Sequence, residues 1–246
     1  MKPQLFRCPG NRLEEILAQT QVSEWLRRIG LNRSRFRWIL FQRVARKWFL
    51  TAYFSSDQRR EALSLGDPVR HGNFLLSFRQ IDADGIAGAI AECGVWRGYL
   101  SRFIRQNLPD RRLYLFDTFD GFDRRDSGAA GDERFRDTSV EGVLKRITDT
   151  DDVVVRRGFF PETAAGLEAE IFALAIIDFD KYEPTMAALE FFYPRVSAGG
   201  FIFVHDYSSP ESNWACSRAL NEFLADKPEL PILLPDSWGT ALFRKI

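Results

Sequence analysis

The stretch that decides the fold reads AIAECGVWRG over residues 89–98, a short apolar run that ends in a glycine turn. The apolar run Ala89–Cys93 is typical of a buried β-strand, and residues 99–106 after the turn are predicted to form a helix. Glycine after a strand lets the backbone approach a ligand that a Cβ would block, and the following helix turns free N–H groups to the same place. The same turn also occurs for purely structural reasons, so by itself it does not define a site.

The strand–turn–helix alternation continues to the end of the chain. Further strands are predicted at 112–116, 152–156, 172–177, 201–204, 231–234 and 240–244, and helices at 185–192 and 214–224, with a turn at 198–200. Apolar strands separated by helices predict an α/β fold with a mostly parallel sheet and helices on both faces. Ligands bind such sheets at the carboxyl ends of the strands, where Glu92, Asp117, Asp178 and Asp206 fall.

Composition excludes several classes of protein. The 246 residues suit one large α/β domain, and 34 basic residues balance 34 acidic ones, so no overall charge favours nucleic acid as a partner. Three cysteines without a CxxC pair argue against a disulfide framework or a cysteine zinc site and favour a reducing compartment. We find no signal peptide, and runs such as Phe172–Ile177 are too short to span a membrane. We therefore expect a cytoplasmic protein without a transmembrane segment.

The first 66 residues differ from the rest. Residues 13–29 and 36–54 show helical spacing of apolar side chains, and residues 24–60 are strongly basic. Such a segment either packs as a helical cap on the core or on a second subunit, or lies as an amphipathic helix on a membrane or a partner. We favour the cap, which divides the chain into an N-terminal helical extension, 1–66, and the α/β domain, 67–246. We also expect a homo-oligomer, with peripheral membrane contact through 24–60 as the alternative.

Two acids near the first turn suit a nucleoside-type cofactor. Asp117 ends the second strand in LYLFDTFDGF (113–122), about 20 residues beyond the turn, where a carboxylate accepts hydrogen bonds from a ribose diol. Glu92 suits the positive amino group of a methionine-type cofactor better than a pyrophosphate, and the GxGxxG pattern of dinucleotide binding is absent. Asp117 alternatively acts as a helix cap or loop carboxylate.

A third group of acids follows two apolar strands. IIDFDKY (176–182) and VHDY (204–207) deliver Asp178, His205 and Asp206 to the same edge of the sheet. Carboxylates with an imidazole suit a divalent cation, and metal binding lowers the pKa of a ligated hydroxyl. Alternatively the acids cap helices or bind the cofactor amine, and His205 acts as a base without metal. His71, the other histidine, is predicted in a loop and has no assigned role. Phe159, beside Gly158, is a candidate to pack against an adenine ring.

These motifs together resemble the macrocin O-methyltransferase family (TylF/MycF type). The matching segments are ECGVWRG (92–98), DTFDGF (117–122), GFFPET (158–163), DFDKYEP (178–184), FYPRVSAGG (192–200) and HDY (205–207). They follow one order between about Asp67 and Lys245, which makes chance agreement a poor explanation.

The resemblance implies a Rossmann-like class I methyltransferase fold with a seven-stranded sheet and S-adenosylmethionine as methyl donor. The residues that it implies for the cofactor are Glu92, Cys93, Gly94, Val95, Trp96, Asp117, Thr118, Phe119, Asp120, Gly121, Ser139, Gly158 and Phe159. It also implies Asp178 as base and metal ligand, with positions 205–206 completing the metal site. That pair is two aspartates in well-known members and His205-Asp206 here, which removes one negative charge and leaves room for a softer metal or for His205 as base.

The sequence thus predicts an S-adenosylmethionine-dependent O-methyltransferase with Asp178 and His205 as catalytic residues and Asp178, His205 and Asp206 as metal ligands. Mg²⁺ is expected first, with Mn²⁺ or Fe²⁺ as alternatives. The expected acceptor is a hydroxyl of a small polar molecule, a sugar or a sugar-bearing natural product or polysaccharide precursor. Two alternatives are a nicotinamide-dependent oxidoreductase and a catalytically inactive cofactor-binding scaffold.

Overall fold

The computed structural model describes residues 54–126, 131–147 and 149–246. The helices predicted at 13–29 and 36–53, and most of the basic segment 24–60, lie outside these residues. The chain forms two compact units, residues 1–63 and 64–246. This division lies three residues before the boundary predicted from the sequence, and the N-terminal helical extension stays a prediction.

Residues 64–246 contain one seven-stranded sheet. Its strands are β1 (Ala89–Cys93), β2 (Leu113–Asp117), β3 (Val153–Arg157), β4 (Phe172–Ile177), β5 (Val196–Val204), β6 (Ile232–Leu234) and β7 (Thr240–Arg244). The described helices are α1 (Ser56–Ser64), α2 (Pro68–Ala83), α3 (Tyr99–Asn107), α4 (Val140–Ile147), α5 (Tyr182–Phe192) and α6 (Ala215–Leu224), with a 3₁₀ turn at Glu162–Ala164. The strand order is β3-β2-β1-β4-β5-β7-β6. Only β7 breaks the parallel arrangement, since it pairs antiparallel with both β5 and β6.

The glycine turn predicted at 198–200 is wrong, because these residues belong to β5, which begins at Val196. The pairing of β4 with β5 shifts inside this segment: Phe172 pairs with Val196, and Leu174 pairs with Phe201. The strand therefore bulges without ending, and Gly199 supplies the left-handed backbone (φ 81°) that the bulge requires.

The loop predicted around His71 is also wrong. His71 lies in α2, which begins at Pro68 after an Asp67 cap whose Oδ1 accepts a hydrogen bond from the Arg70 N–H at 3.0 Å. An aspartate cap followed by proline at the first helical position is a recognised start signal. Asp67 and Pro68 therefore indicate the start of a helix in the sequence itself, at a place where a loop is predicted above.

The core lies on the two faces of the sheet. Every residue of β1 and β4 is buried, as continuous apolar strands of a covered parallel sheet require. On one face, aromatic rings fill the space under α5: Phe172 lies edge-on to Phe192, with ring centroids 5.0 Å apart. No helix within the described residues is long and apolar enough to cross a membrane.

Candidate active site

One cavity of about 640 Å³ opens at the carboxyl ends of the parallel strands. It brings together most of the predicted site residues, namely Glu92, Gly94, Val95, Trp96, Asp117, Thr118, Gly121, Gly158, Phe159, Asp178, His205 and Asp206. Residues that lie more than 100 positions apart in the chain therefore share one cleft. Cys93, Phe119, Asp120 and Ser139 are not among the residues that line it.

Glu92 is the penultimate residue of β1, and its carboxylate is buried at the wall of the cavity. The residue is 1% exposed. Ser101 lies near enough to lower its pKa, but neither carboxylate oxygen has a partner with the geometry of a hydrogen bond among the described residues. Burial raises the pKa of Glu92 well above its ordinary value, and the charges of Asp117 and Asp178 add to this. A buried carboxylate without a partner is unfavourable, and a cationic ligand group would relieve it.

Asp117, at the end of β2, ties two loops together. One carboxylate oxygen accepts hydrogen bonds from the N–H groups of Val95 at 2.7 Å and Trp96 at 2.8 Å. The other accepts one from the N–H of Phe119 at 2.6 Å. The carboxylate thus fixes the turn after β1, and Asp117 also lines the cavity, where a ribose diol is expected.

The glycines of the first turn are required by contacts within the chain. A Cβ at Gly94 would overlap the carbonyl oxygen of Asp178, and one at Gly98 would lie 2.7 Å from Cγ1 of Val143. Both glycines also have positive φ. These contacts exclude side chains here, and the predicted close approach of a ligand at Gly94, which lines the cavity, stays a prediction.

Three of the predicted cofactor residues have other contacts in this structure. Cys93 is fully buried in the core, and its carbonyl accepts a hydrogen bond from the Asp178 N–H at 2.8 Å. The Ser139 hydroxyl accepts one from the Gly142 N–H at 3.1 Å, at the start of α4. The guanidinium of Arg125 lies 3.9 Å from the centre of the Phe159 ring, over the face expected for adenine. Their roles in cofactor binding stay predictions.

Asp178, His205 and Asp206 meet at the ends of β4 and β5. Nδ1 of His205 lies 2.9 Å from Oδ1 of Asp178 and 3.2 Å from Oδ1 of Asp206. One potential ligand atom from each residue lies within 4.8 Å of the other two. Ile177 and Val204, the last residues of β4 and β5, pair in the parallel sheet. The residues that follow them therefore leave the sheet at the same edge, which brings Asp178 close to His205 and Asp206.

This donor set fits a divalent cation. Two carboxylates and an imidazole are suitable ligands, and Nε2 of His205 is buried without a hydrogen-bond partner among the described residues. Burial raises the pKa of Asp206 to about 10, with Asp180 and Asp178 adding to the effect. Crowding acids together in this way is costly unless a proton or a cation is shared between them.

Asp178 is the member of this group that is held ionised. Burial alone would raise its pKa, but the charge and hydrogen bond of His205 and the charge of Arg70 outweigh burial and lower the pKa. Arg70 reaches the cavity from α2, with Nη1 3.8 Å from Oδ2 of Asp178. Arg70 is not among the residues predicted from the sequence, because a loop is predicted where α2 begins.

His71, next to Arg70, also lines the cavity. Its Nδ1 lies 2.8 Å from the carbonyl oxygen of Asp67. Burial lowers the pKa of His71 to about 4, and nearby Arg70 contributes to this. The ring is therefore neutral near pH 7 and donates its Nδ1 hydrogen to the Asp67 carbonyl.

The loop between β2 and α4 forms another wall of the cavity. Its residues Phe122, Asp126 and Arg134 line the space, and Asp132 forms an ion pair with Nζ of the buried Lys181 at 3.1 Å. None of these was predicted as a site residue. No spacing rule identifies the side chains that such a loop turns inward.

The strand order and the helices on both faces of the sheet are those of a class I methyltransferase fold, and solved structures of methyltransferases match this chain. The O-methyltransferase NovP superposes with a TM-score of 0.59 at 25% identity, covering 71% of this chain and 78% of NovP. CalS11, titled a calicheamicin methyltransferase, gives a TM-score of 0.59 at 22% identity, covering 87% of this chain and 93% of CalS11. The fold predicted from the sequence is confirmed.

The chain belongs to the macrocin-O-methyltransferase (TylF) family, whose model matches residues 53–245. A relative from Streptomyces olivaceus, described as 8-demethyl-8-(2,3-dimethoxy-alpha-L-rhamnosyl)-tetracenomycin-C 4'-O-methyltransferase, is 34% identical over 160 residues. The match covers 57% of this chain and 59% of that relative, so this chain spans less than two thirds of the relative's length.

Proposed function

We propose that this protein is an S-adenosylmethionine-dependent O-methyltransferase that methylates a hydroxyl of a sugar or sugar-bearing small molecule, assisted by a divalent cation. The observation that carries the proposal is that the buried, unpartnered Glu92 carboxylate and the Asp178–His205–Asp206 group line the same cavity. The Glu92 carboxylate suits a cationic amino acid moiety, and the Asp178 group suits an alcohol that must lose its proton.

Cofactor binding would use groups already in place around β1 and β2. The Glu92 carboxylate would accept hydrogen bonds from the cofactor's ammonium group, which offsets the cost of burying the carboxylate. Asp117 would bind the ribose diol while it keeps the turn at Val95–Trp96 in position. When bound, S-adenosylmethionine supplies an activated methyl group, so the chain has to align the acceptor oxygen and remove its proton.

Proton removal falls to Asp178 and His205. Asp178 is ionised and would accept a hydrogen bond from the Nδ1–H of His205. The proton of an acceptor hydroxyl would pass either to the Asp178 carboxylate or to the unpartnered Nε2 of a neutral His205 ring. Asp178, His205 and Asp206 would hold the cation. A bound divalent cation lowers the pKa of a ligated hydroxyl.

The sugar-like acceptor is supported by the relatives. The described activity of the Streptomyces olivaceus relative is O-methylation of a rhamnosyl group on tetracenomycin C. A protein from Micromonospora griseorubida, 31% identical over 160 residues, is described as mycinamicin III 3''-O-methyltransferase. For this chain we infer the class of acceptor from these descriptions and leave the individual acceptor open.

Binding of S-adenosylhomocysteine tests the proposal first. At a concentration 100 times its Kd it should raise the free energy of unfolding by about 2.7 kcal/mol, whereas NAD should produce no change. Production of S-adenosylhomocysteine from S-adenosylmethionine with a glycoside panel and Mg²⁺ or Mn²⁺ then tests catalysis. Stabilisation by NAD alone would favour an oxidoreductase, and cofactor binding without transfer to any glycoside would favour an inactive scaffold.

A cytoplasmic location and a homo-oligomeric state stay predictions. Both cysteines in the described residues, Cys93 and Cys216, are free and buried, which is consistent with a reducing compartment. Light scattering of the purified chain would measure its oligomeric state.

A further inference from the structure

Asp126 is a buried acid on the loop wall of the cavity, separate from the groups assigned above. Asp126 is one of the residues that line the cavity and is 7% exposed, and its buried Oδ1 has no hydrogen-bond partner among the described residues. Buried carboxylate oxygens are ordinarily hydrogen-bonded. An unpartnered carboxylate oxygen at the wall of a ligand cavity leaves a position that a donor group of a ligand can fill.

The surroundings of Asp126 favour a cationic partner over a neutral one. Burial raises its pKa to about 6, and the negative charges of Asp123 and Glu183 add to this, although Lys181 and Arg125 oppose it. The carboxylate is still mainly ionised near pH 7. A neutral hydroxyl would donate a hydrogen bond to Oδ1 but would leave the repulsion from the neighbouring acids unchanged. A protonated amine would donate the hydrogen bond and would also offset the repulsion.

The charge of the whole cavity points the same way. Its described lining contains eight acidic side chains and two arginines. A bound cofactor with a net positive charge and a divalent cation offset part of this excess, chiefly around Glu92 and Asp178. One arginine, Arg134, is already engaged with Asp132 and with Glu211 at 3.3 Å. The remaining negative charge disfavours an anionic acceptor such as a nucleotide-linked sugar.

We propose that the acceptor carries a protonated amine, as an aminosugar does, and that the Asp126 carboxylate binds this amine and so orients the acceptor. The proposal rests on the proposed function, since it names the acceptor class for the same cavity. Asp126 is then a specificity-determining residue, and the hydroxyl that is methylated lies elsewhere on the acceptor, next to Asp178 and His205.

Matched sugar probes test the proposal on the full-length protein saturated with S-adenosylhomocysteine and Mg²⁺. The probes are methyl hexosides with an amine at position 2, 3 or 4, each paired with the hexoside that carries a hydroxyl there. We expect at least one aminosugar to bind roughly tenfold more tightly than its hydroxyl counterpart, as a charge-assisted hydrogen bond predicts. Equal affinities for every pair, no binding of any aminosugar, or tighter binding of a nucleotide-linked sugar would overturn it.

Two variants test whether Asp126 causes the preference for the aminosugar. Asp126→Asn should abolish the preference for the amine while it leaves the affinity for S-adenosylhomocysteine unchanged. Glu211→Gln removes a negative charge from the same cavity, but from an acid already paired with Arg134, and should retain the preference. A preference that survives Asp126→Asn, or that both variants weaken equally, contradicts the assignment to Asp126. S-adenosylhomocysteine binding is measured separately, so failure of the proposed function would be seen on its own.

Discussion

The side chains of the cavity differ in whether the folded protein already satisfies them. Asp117 accepts three backbone hydrogen bonds shorter than 3 Å, whereas the Glu92 oxygens have no partner in the described chain. A satisfied carboxylate stabilises the fold, and an unsatisfied buried one destabilises it until a ligand binds. Substitution of the two should therefore have opposite effects on stability.

Glu92→Gln should stabilise the protein without ligand and weaken cofactor binding. Replacement of this buried, unpartnered carboxyl should raise the free energy of unfolding at pH 7 by on the order of 1 kcal/mol. Loss of a charge-assisted hydrogen bond should weaken S-adenosylhomocysteine binding roughly tenfold to a hundredfold. Urea denaturation and calorimetry measure the two effects, and a destabilised variant with unchanged affinity would contradict this role of Glu92.

The stability gained in Glu92→Gln should also depend on pH. Because the folded state raises the pKa of Glu92 above its ordinary value of 4.5, the folded protein holds a proton that the unfolded chain has released. The free energy of unfolding of the wild type should therefore fall, relative to the variant, as the pH rises above about 4.5. Urea denaturation of both proteins from pH 4.5 to 8 gives this difference, and a difference that does not grow with pH would count against it.

Asp178→Asn should separate metal binding from cofactor binding. Loss of a carboxylate ligand should weaken Mn²⁺ binding, measured by electron paramagnetic resonance, at least tenfold. Methyl transfer should fall by about 10²–10⁴, the usual contribution of a general base, while S-adenosylhomocysteine affinity stays within about threefold. Asp152→Asn is the control, because Asp152 pairs with Arg112 at 3.2 Å on the surface. Unchanged Mn²⁺ binding in Asp178→Asn would remove Asp178 from the metal site.

At the scale of elements, close contact between the ends of β1 and β4 shapes the site. The turn after β1 passes so near the Asp178 backbone that position 94 has no room for a Cβ. Gly94 also has φ 86°, a conformation that side chains rarely adopt. The same glycine therefore controls both the local turn and the separation of Glu92 from Asp178.

Gly94→Ala and Gly166→Ala separate backbone strain from steric overlap. Gly166 has φ 83° and nothing within 4 Å of an added Cβ, so its substitution should cost only the left-handed strain, about 1–2 kcal/mol. Gly94→Ala carries the same strain and also forces the Asp178 carbonyl away, so it should cost several kcal/mol more or prevent folding. Chemical denaturation measures both, and equal losses would show that steric overlap is unimportant.

The loop wall is held to the start of α5 through Lys181. This buried lysine pairs with Asp132 and lies 4.1 Å from the centre of the Phe122 ring. Lys181→Met should loosen the loop and speed its cleavage by proteinase K roughly tenfold, because a buried pair loses one partner. Glu133→Gln breaks an exposed pair with Arg136 in the same loop and should change the rate less than about threefold. Equal sensitivity of the two variants would contradict the role of Lys181.

At the scale of the whole molecule, the family match and the compact unit nearly coincide. The match begins at residue 53, and the unit that contains the cavity begins at Ser64. We propose that cofactor binding resides in this part, because every described residue that lines the cavity lies in it. A chain shortened to residues 53–246 should therefore bind S-adenosylhomocysteine within about threefold of the full chain. Loss of S-adenosylhomocysteine binding on shortening would contradict the division.

The sequence by itself determined the elements and the strands that carry the site. Strands β1, β4 and β7 have the bounds predicted for them, because short apolar runs between polar turns are typical of buried strands. The acids Glu92, Asp117, Asp178 and Asp206 could be placed at one edge, since the carboxyl ends of parallel strands share that edge. The start of α2 could also have been predicted, from Asp67 and Pro68.

Only the tertiary structure decided which side chains face the cavity and which of them already have partners. The Gly94 contact with Asp178, the Asp117 ties to the first turn and the inward position of Asp126 all join residues distant in the chain or depend on loop conformation. Local patterns report periodicity along the chain, whereas hydrogen-bond satisfaction and burial depend on atoms brought together by folding. The sequence therefore predicted which strands carry the candidate site, and the structure showed which buried groups of the cavity have no partner within the described chain.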